Sequence, residues 1–294
     1  MKILVIGKYG QLATCLGDVF RDSSEEVIFF SSKDLDITKF NKTKNKIKTI
    51  IPDIIINTSA YTAVDKAEDD IYSANLINHL SVKNIAKICE EIGCSLIHIS
   101  TDYVFDGKGK KPFKEDSPTN PSTVYGKTKL EGEKAIIKSG CRYIILRTAW
   151  LFSCHGKNFL KTMLQLSSER EELNLVGDQV GCPTSAHDLA RAIIKVIPFL
   201  GNLKYNGIYH YGGYSPCSWA EFAENIFHTA LIEKKISKKP RINIINSSES
   251  PAIAKRPLNS RIDSSLFDER FDYPPSDWKK GIEKAVRALP AFSK

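Results

Sequence analysis

An α/β fold built on a doubly wound parallel sheet is predicted by two observations. Short β-branched apolar runs alternate with longer helix-period segments through the first 150 residues, and a glycine-spaced turn joins the first run to the first helix. The predicted strands are KILVIG (2–7), EVIFF (26–30), DIIINTS (53–59), SLIHIS (95–100) and YIILRT (143–148). Between them, QLATCLGDVFRD, FNKTKNKIKTII, SANLINHLSVKNIAKICEEIG and YGKTKLEGEKAIIKSG carry apolar residues at helical spacing. Beyond Trp150 the pattern loosens, with helices expected over 185–197 and 218–230. Residues 1–150 are therefore expected to form a nucleotide-binding domain. Residues 151–294 should form mainly a smaller α+β substrate domain, with segments such as 185–197 returning to the first.

Composition narrows the function classes. With 294 residues, 42% hydrophobic and 26% charged, the chain reads as a globular protein large enough for a sizeable core. The apolar run after Met1-Lys2 is too short for a targeting segment and no stretch approaches the ~18 residues needed to span a bilayer, so a cytoplasmic protein without membrane contact is expected. The seven cysteines (15, 89, 94, 141, 154, 182, 217) form no Cys-x-x-Cys pair, which suggests reduced thiols and no structural zinc. The net charge of +8 concentrates in lysine runs at 39–48 and 234–241 that lack interleaved aromatics, a solvated-surface pattern; no nucleic-acid partner is expected.

The turn IGKYGQLATCL places Gly7 and Gly10 at the first and second positions of a dinucleotide loop. The first glycine permits the tight turn and the second lets backbone approach a pyrophosphate at a helix N-terminus; Ala13, small, occupies the third position. A bare glycine pattern also fits a plain strand-to-helix turn, but its place at the start of an alternating chain favours a Rossmann-type domain. Cofactor choice turns on the end of the second strand, which reads Phe30-Ser31-Ser32-Lys33. Hydroxyls and a cation suit a 2′-phosphate better than a carboxylate would, so Ser31 and Lys33 point to NADPH, with NADH an admissible second cofactor.

Tyr125 and Lys129 are four residues apart, hence stacked on one helix face. A cation beside a phenol favours the phenolate, and the expectation is that Lys129 lowers the Tyr125 pKa toward the range useful for acid–base work. The plain alternative is a surface tyrosine with an ordinary i,i+4 neighbour. Ser100, Thr101 and Asp102 follow the fourth strand, at the sheet edge where such folds bind ligands, and the 24 residues between Thr101 and Tyr125 let the chain return there. Thr101, Tyr125 and Lys129 could then converge on one carbonyl.

This combination resembles the extended branch of the short-chain dehydrogenase/reductase superfamily. GKYGQL, DIT (36–38), NTSAYTAVDKAE (57–68), STDYVFDG (100–107), YGKTKLEGE (125–133), RTAW (147–150), VGDQVGCPT (176–184), GIYHYGG (207–213) and KRPLNSRID (255–263) resemble, in order, the signatures of the dTDP-4-dehydrorhamnose reductase family. The resemblance implies reduction by NADPH of the C4 ketone of dTDP-4-dehydro-L-rhamnose, in dTDP-rhamnose biosynthesis. It makes Tyr125 the proton donor, Lys129 the holder of the ribose hydroxyls and Thr101 the hydrogen-bond donor to the ketone oxygen. It assigns the phosphate turn to Gly7, Gly10, Gln11 and Leu12, adenine contacts to Asp36 and Ile37, and cofactor-lining backbone to Ala60, Tyr61 and Thr62. Asp102, Tyr103 and Trp150 would face the nucleotide sugar, with Arg256 and Arg261 as diphosphate candidates because a guanidinium grips phosphate oxygens bidentately.

Competing functions are separable. Sugar-nucleotide dehydratases of this branch resemble one another in carrying Asp-Glu after the threonine, where this chain has Asp102-Tyr103. Epimerases retain their nicotinamide, whereas a reductase releases NADP⁺ at each turnover. A reductase forming dTDP-6-deoxy-L-talose would share the same catalytic residues, and a non-catalytic regulatory subunit, similar to that of methionine adenosyltransferase, would share the fold. Some family members pair through magnesium held partly by a glutamate where this sequence has Cys15. A metal-independent monomer or weak homodimer is therefore expected.

Overall fold

The computed structural model describes residues 1–251 and 253–292. β1 (Lys2–Ile6), β2 (Glu26–Phe30), β3 (Ile54–Asn57), β4 (Ser95–Thr101), β5 (Arg142–Thr148) and a strand at Gly207–His210 form one sheet. Its order is Gly207–His210, β5, β4, β3, β1, β2, and every pairing is parallel. The winding reverses between β1 and β3, which opens a crevice at the carboxyl ends of those strands.

Alternating side chains of each strand feed two separate cores, as the pleat requires. Ile3, Val5, Ile56, Ile97 and Leu146 pack against α1 (Gln11–Phe20), the helix Ala186–Val196 and the pair Phe267 and Phe271. Leu4, Ile55, Leu96 and Ile145 pack on the opposite face against residues of the helices Phe40–Ile50, Ser81–Ile92 and Val124–Ser139. Burial on both faces explains why β1 and β3 are apolar at nearly every position.

A third core, distinct from the sheet, is formed by the helices Phe159–Glu169, Trp219–Ile232 and Trp278–Arg287 with the parallel strand pair Glu172–Val176 and Arg241–Ile245. Ser218 and Glu221 cap the middle helix reciprocally, which sets where it begins and thereby where Trp219 lies. Among the described residues no helix is long and apolar enough to cross a membrane.

Beyond Trp150 the helices Phe159–Glu169, Ser265–Phe271 and Trp278–Arg287 and the strand pair Glu172–Val176 and Arg241–Ile245 are not among the expected elements, and three further features concern the main sheet and its flanking helices. The strand Gly207–His210, inside the GIYHYGG stretch, is not among the predicted strands yet forms an edge of the sheet. A helix at Val64–Asp69 is likewise unpredicted. The helix expected over 73–93 is interrupted by a π-helical turn at Leu76–Leu80. That turn carries buried Asn78, whose side chain accepts from Tyr61 N at 2.8 Å and donates to Thr128 Oγ1 at 3.2 Å. Satisfying these polar partners offsets the poorer helical geometry and ties the turn to the helix that carries Tyr125.

Candidate active site

A cleft of about 1320 Å³ opens along the carboxyl ends of β1, β3, β4 and β5. At one end lies the glycine turn. Gly7 adopts φ +110°, and a Cβ there would come within 2.6 Å of Thr58 Oγ1, which itself donates to Ile6 O at 2.8 Å. Only glycine fits that left-handed, crowded position. Gly10 then caps α1 without a side chain, so the first N–H groups of a ten-residue helix face the cleft unclaimed by any cap. Gly7, Gly10, Gln11 and Leu12 all line it.

Ser31, Asp36, Ile37, Ala60 and Thr62 also line the cleft. Ser31 is buried and donates through both N–H and hydroxyl to Asp34 Oδ2, at 2.9 and 2.7 Å. Lys8 and Lys46 lie close enough to help hold the Asp34 carboxyl below its usual range, after the two Ser31 bonds. Two expected residues stand apart. Lys33 is exposed and outside the lining, because the turn closed by the Ser31–Asp34 bonds carries its side chain outward. Tyr61 is also outside the lining, its N–H given to Asn78 and its hydroxyl donating to Asp70 Oδ2 at 3.2 Å.

The other end holds the residues with chemistry. β4 ends at Thr101, whose hydroxyl donates to Asp102 Oδ1 at 3.1 Å and accepts from Tyr103 N at 3.2 Å. The helix Val124–Ser139 starts at the Thr123 cap and runs close past this turn; a Cβ on Gly126 would stand 2.2 Å from Tyr103 O. That close approach sets Tyr125 beside Tyr103, edge to face with ring centroids 5.5 Å apart. Thr101, Asp102, Tyr103, Tyr125, Lys129 and Trp150 line one continuous surface.

Electrostatics differ from the expectation for the tyrosine. Burial pushes the Tyr125 phenol up to about 12, with the neighbouring Thr101 hydroxyl pulling the other way. Lys129 does not acidify it, because the ammonium is buried beneath the site, 3.1 Å from His98 Nε2 and donating to Ile99 O at 2.6 Å. Desolvation brings Lys129 down to about 8, opposed by Glu133. Glu133 is itself gripped bidentately by Arg147, at 2.7 and 3.0 Å, and accepts from Ser100 Oγ at 2.5 Å. A neutral phenol above a buried ammonium is suited to giving a proton rather than taking one.

One wall of the cleft is aromatic. Trp150 sits at φ +48°, a strained conformation for a bulky residue, and its indole stacks on Trp219 at 3.5 Å and 10°. Trp219 Nε1 donates to Gln179 Oε1 at 3.1 Å, and Gln179 donates to Ser247 Oγ at 3.0 Å. Trp219, Gln179, Asn158 and Phe159 line the cleft but are absent from the sequence-based set. The serine cap before Trp219 marks a helix start, yet nothing local says which cavity that start faces. Arg256 lines the cleft and pairs with Asp65 at 2.8 Å. Arg261 does not line it, its Nε being given to Asn259 Oδ1 at 2.7 Å.

Comparison with known proteins agrees with this architecture. The family described as the RmlD substrate binding domain matches residues 1–290. A dTDP-4-dehydrorhamnose reductase of Aggregatibacter actinomycetemcomitans is 38% identical over 98% of both chains. The chain belongs to the dTDP-4-dehydrorhamnose reductase family. Among solved structures, the reductase of Clostridium acetobutylicum superposes with a TM-score of 0.90 at 37% identity, covering 97% of this chain and 98% of that one. The Bacillus anthracis reductase, determined in complex with NADP, also gives 0.90, at 34% identity over 98% and 99% of the two chains. The family is one of oxidoreductases, and both superposed reductases share this fold.

Proposed function

We propose that the protein reduces the C4 ketone of dTDP-4-dehydro-L-rhamnose to dTDP-L-rhamnose with NADPH, Tyr125 giving the proton. The observation that carries this reading is the placement of Thr101, a protonated Tyr125 and a buried Lys129 on one wall of a cleft whose far end is an uncapped helix N-terminus. The cleft exceeds the ~300–1,000 Å³ typical of a single-ligand pocket, consistent with a cofactor and a nucleotide sugar bound together.

The residues present fit a nicotinamide dinucleotide. The α1 N–H groups offer a diphosphate site, and the choice of NADPH rests on the NADP in the Bacillus anthracis relative, since both Ser31 donors are taken by Asp34. When bound, NADPH supplies the hydride. Thr101 Oγ1 donates a hydrogen bond to the ketone oxygen, which stabilises negative charge as it builds there. Tyr125 then gives its phenolic proton to that oxygen. The Lys129 ammonium, which lines the cleft one helical turn beyond Tyr125, would hold the ribose hydroxyls of the cofactor rather than tune the phenol. Trp150 and Trp219 provide an apolar wall that would orient the sugar and exclude water, and Arg256, which lines the cleft while paired with Asp65, would reach the substrate diphosphate.

The test supplies dTDP-glucose and the two preceding enzymes of the pathway to generate the unstable ketone, and follows NADPH consumption. Tyr125→Phe should lower kcat by ~10²-fold or more while NADPH binding is kept. A mutant that reduces the ketone at the parent rate overturns the assignment. Product NMR separates the rhamnose from the talose epimer.

A further inference from the structure

Behind the glycine turn, away from the reacting residues, four side chains with metal-ligand chemistry meet from three elements. Cys15 and Asp18 lie one turn apart on α1, His155 lies in the loop after Phe152, and His187 is the second residue of the helix Ala186–Val196. Cys15 Sγ is 3.5 Å from His187 Nδ1. Asp18 Oδ2 is 3.1 Å from His187 Nε2 and 2.8 Å from His155 Nε2. The sulfur and one nitrogen from each ring lie within 4.8 Å of one another.

We propose that Cys15, His155 and His187 form a binding site for a zinc-type divalent cation, with Asp18 as the outer carboxylate that orients both imidazoles. Bond lengths of ~2.3 Å to sulfur and ~2.0–2.1 Å to nitrogen at a tetrahedral angle separate the two ligands by about 3.5 Å. Cys15 and His187 are already at that spacing. Donation from both Nε2 atoms to one carboxylate leaves both Nδ1 lone pairs free for a metal, the usual outer arrangement of histidine ligands. His155 closes the remaining distance from a loop, and the side chains of His155, His187 and Asp18 are each roughly 30% exposed, so an ion can reach the site from solvent. A thiolate with two imidazoles selects zinc and its late first-row neighbours over magnesium. Binding expels the Cys15 thiol proton to solvent as the S–metal bond forms, and water takes the fourth position.

The site would staple the 153–158 loop to α1. Gly156, Lys157 and Asn158 of that loop line the cleft, and Ser153 Oγ and Asn158 Nδ2 both donate to Gln11 Oε1, at 3.1 and 3.2 Å. A cation at Cys15 thus reinforces the wall beside the phosphate turn. This departs from the expectation of a protein without metal.

Cobalt(II), titrated into chelator-treated full-length protein, is the direct probe. One equivalent should produce a thiolate-to-cobalt charge-transfer band with tetrahedral visible bands, displaced by Zn²⁺, and Zn²⁺ should raise the thermal midpoint. Cys15→Ser should abolish the charge-transfer band, His155→Asn should weaken binding by ~10-fold or more, and Cys154→Ser should leave the band intact. Absence of the band in the parent protein, or its survival in Cys15→Ser, overturns the proposal and leaves a thiol–imidazole–carboxylate hydrogen-bond chain.

Discussion

Asp102 carries a stability cost whose size follows from its surroundings. The carboxyl is buried; its Oδ1 accepts from Thr101, while Oδ2 has no donor in good geometry. Desolvation pushes its pKa from 3.8 up to about 6, although the Ser260 and Thr101 hydroxyls offset part of the rise. The folded protein therefore holds this proton across a pH range in which the unfolded chain has released it. Stability from this group is present below about pH 4 and is lost as the pH rises toward 6. A gap of about 2 pH units at ~1.4 kcal/mol each gives roughly 3 kcal/mol. Asp102→Asn removes the titration, so the stability difference, variant minus parent, should grow by about 2.5 kcal/mol from pH 4 to pH 7.5, because the unfolded carboxyl is already about half ionised at pH 4. Urea unfolding at both pH values measures it, and carboxylates shared by the two proteins cancel in the difference. A difference that is flat with pH, or larger at pH 4, would show that the Asp102 carboxyl ionises as freely as in solvent and would refute the reasoning.

Two further substitutions probe the scaffold of the site. Glu133→Gln strands the buried Arg147 guanidinium and should cost ~3–5 kcal/mol in denaturant unfolding, because one partner of a desolvated pair is removed; a loss under 1 kcal/mol would mean that water reaches the pair. Gly126→Ala forces a Cβ to within 2.2 Å of Tyr103 O, so the helix start must shift. It should destabilise the fold by ~1–3 kcal/mol and lower kcat more than it raises the KM for NADPH, and parent-like turnover would show that Tyr125 tolerates the displacement.

Local chemistry alone made much of the cleft's floor legible. Gly7 declares a turn because its backbone at φ +110° admits no side chain, and the apolar runs of β1, β3, β4 and β5 declare a sheet buried on both faces. Thr101, Tyr125 and Lys129 could be paired because a strand end and a helix face are periodic features. The strand Gly207–His210 was harder to see, since a four-residue edge strand has too few positions to show a period. The π-helical turn at Leu76–Leu80 is invisible to periodicity for a different reason: it exists to satisfy Asn78, whose partners Tyr61 and Thr128 are distant in sequence.

Residue order by itself thus determined the class of fold, the glycine turn after β1 and the stacking of Tyr125 and Lys129 on one helix face, all of which depend on spacings of a few residues. Tertiary structure alone decided the rest. It buried Lys129 against His98 and left the Tyr125 phenol protonated, moved Lys33 and Arg261 off the cleft, stacked Trp219 on Trp150, and gathered Cys15, His155 and His187 from 172 positions of chain into one cluster. Desolvation and through-space contact set those outcomes, and neither is a property of neighbours along the chain.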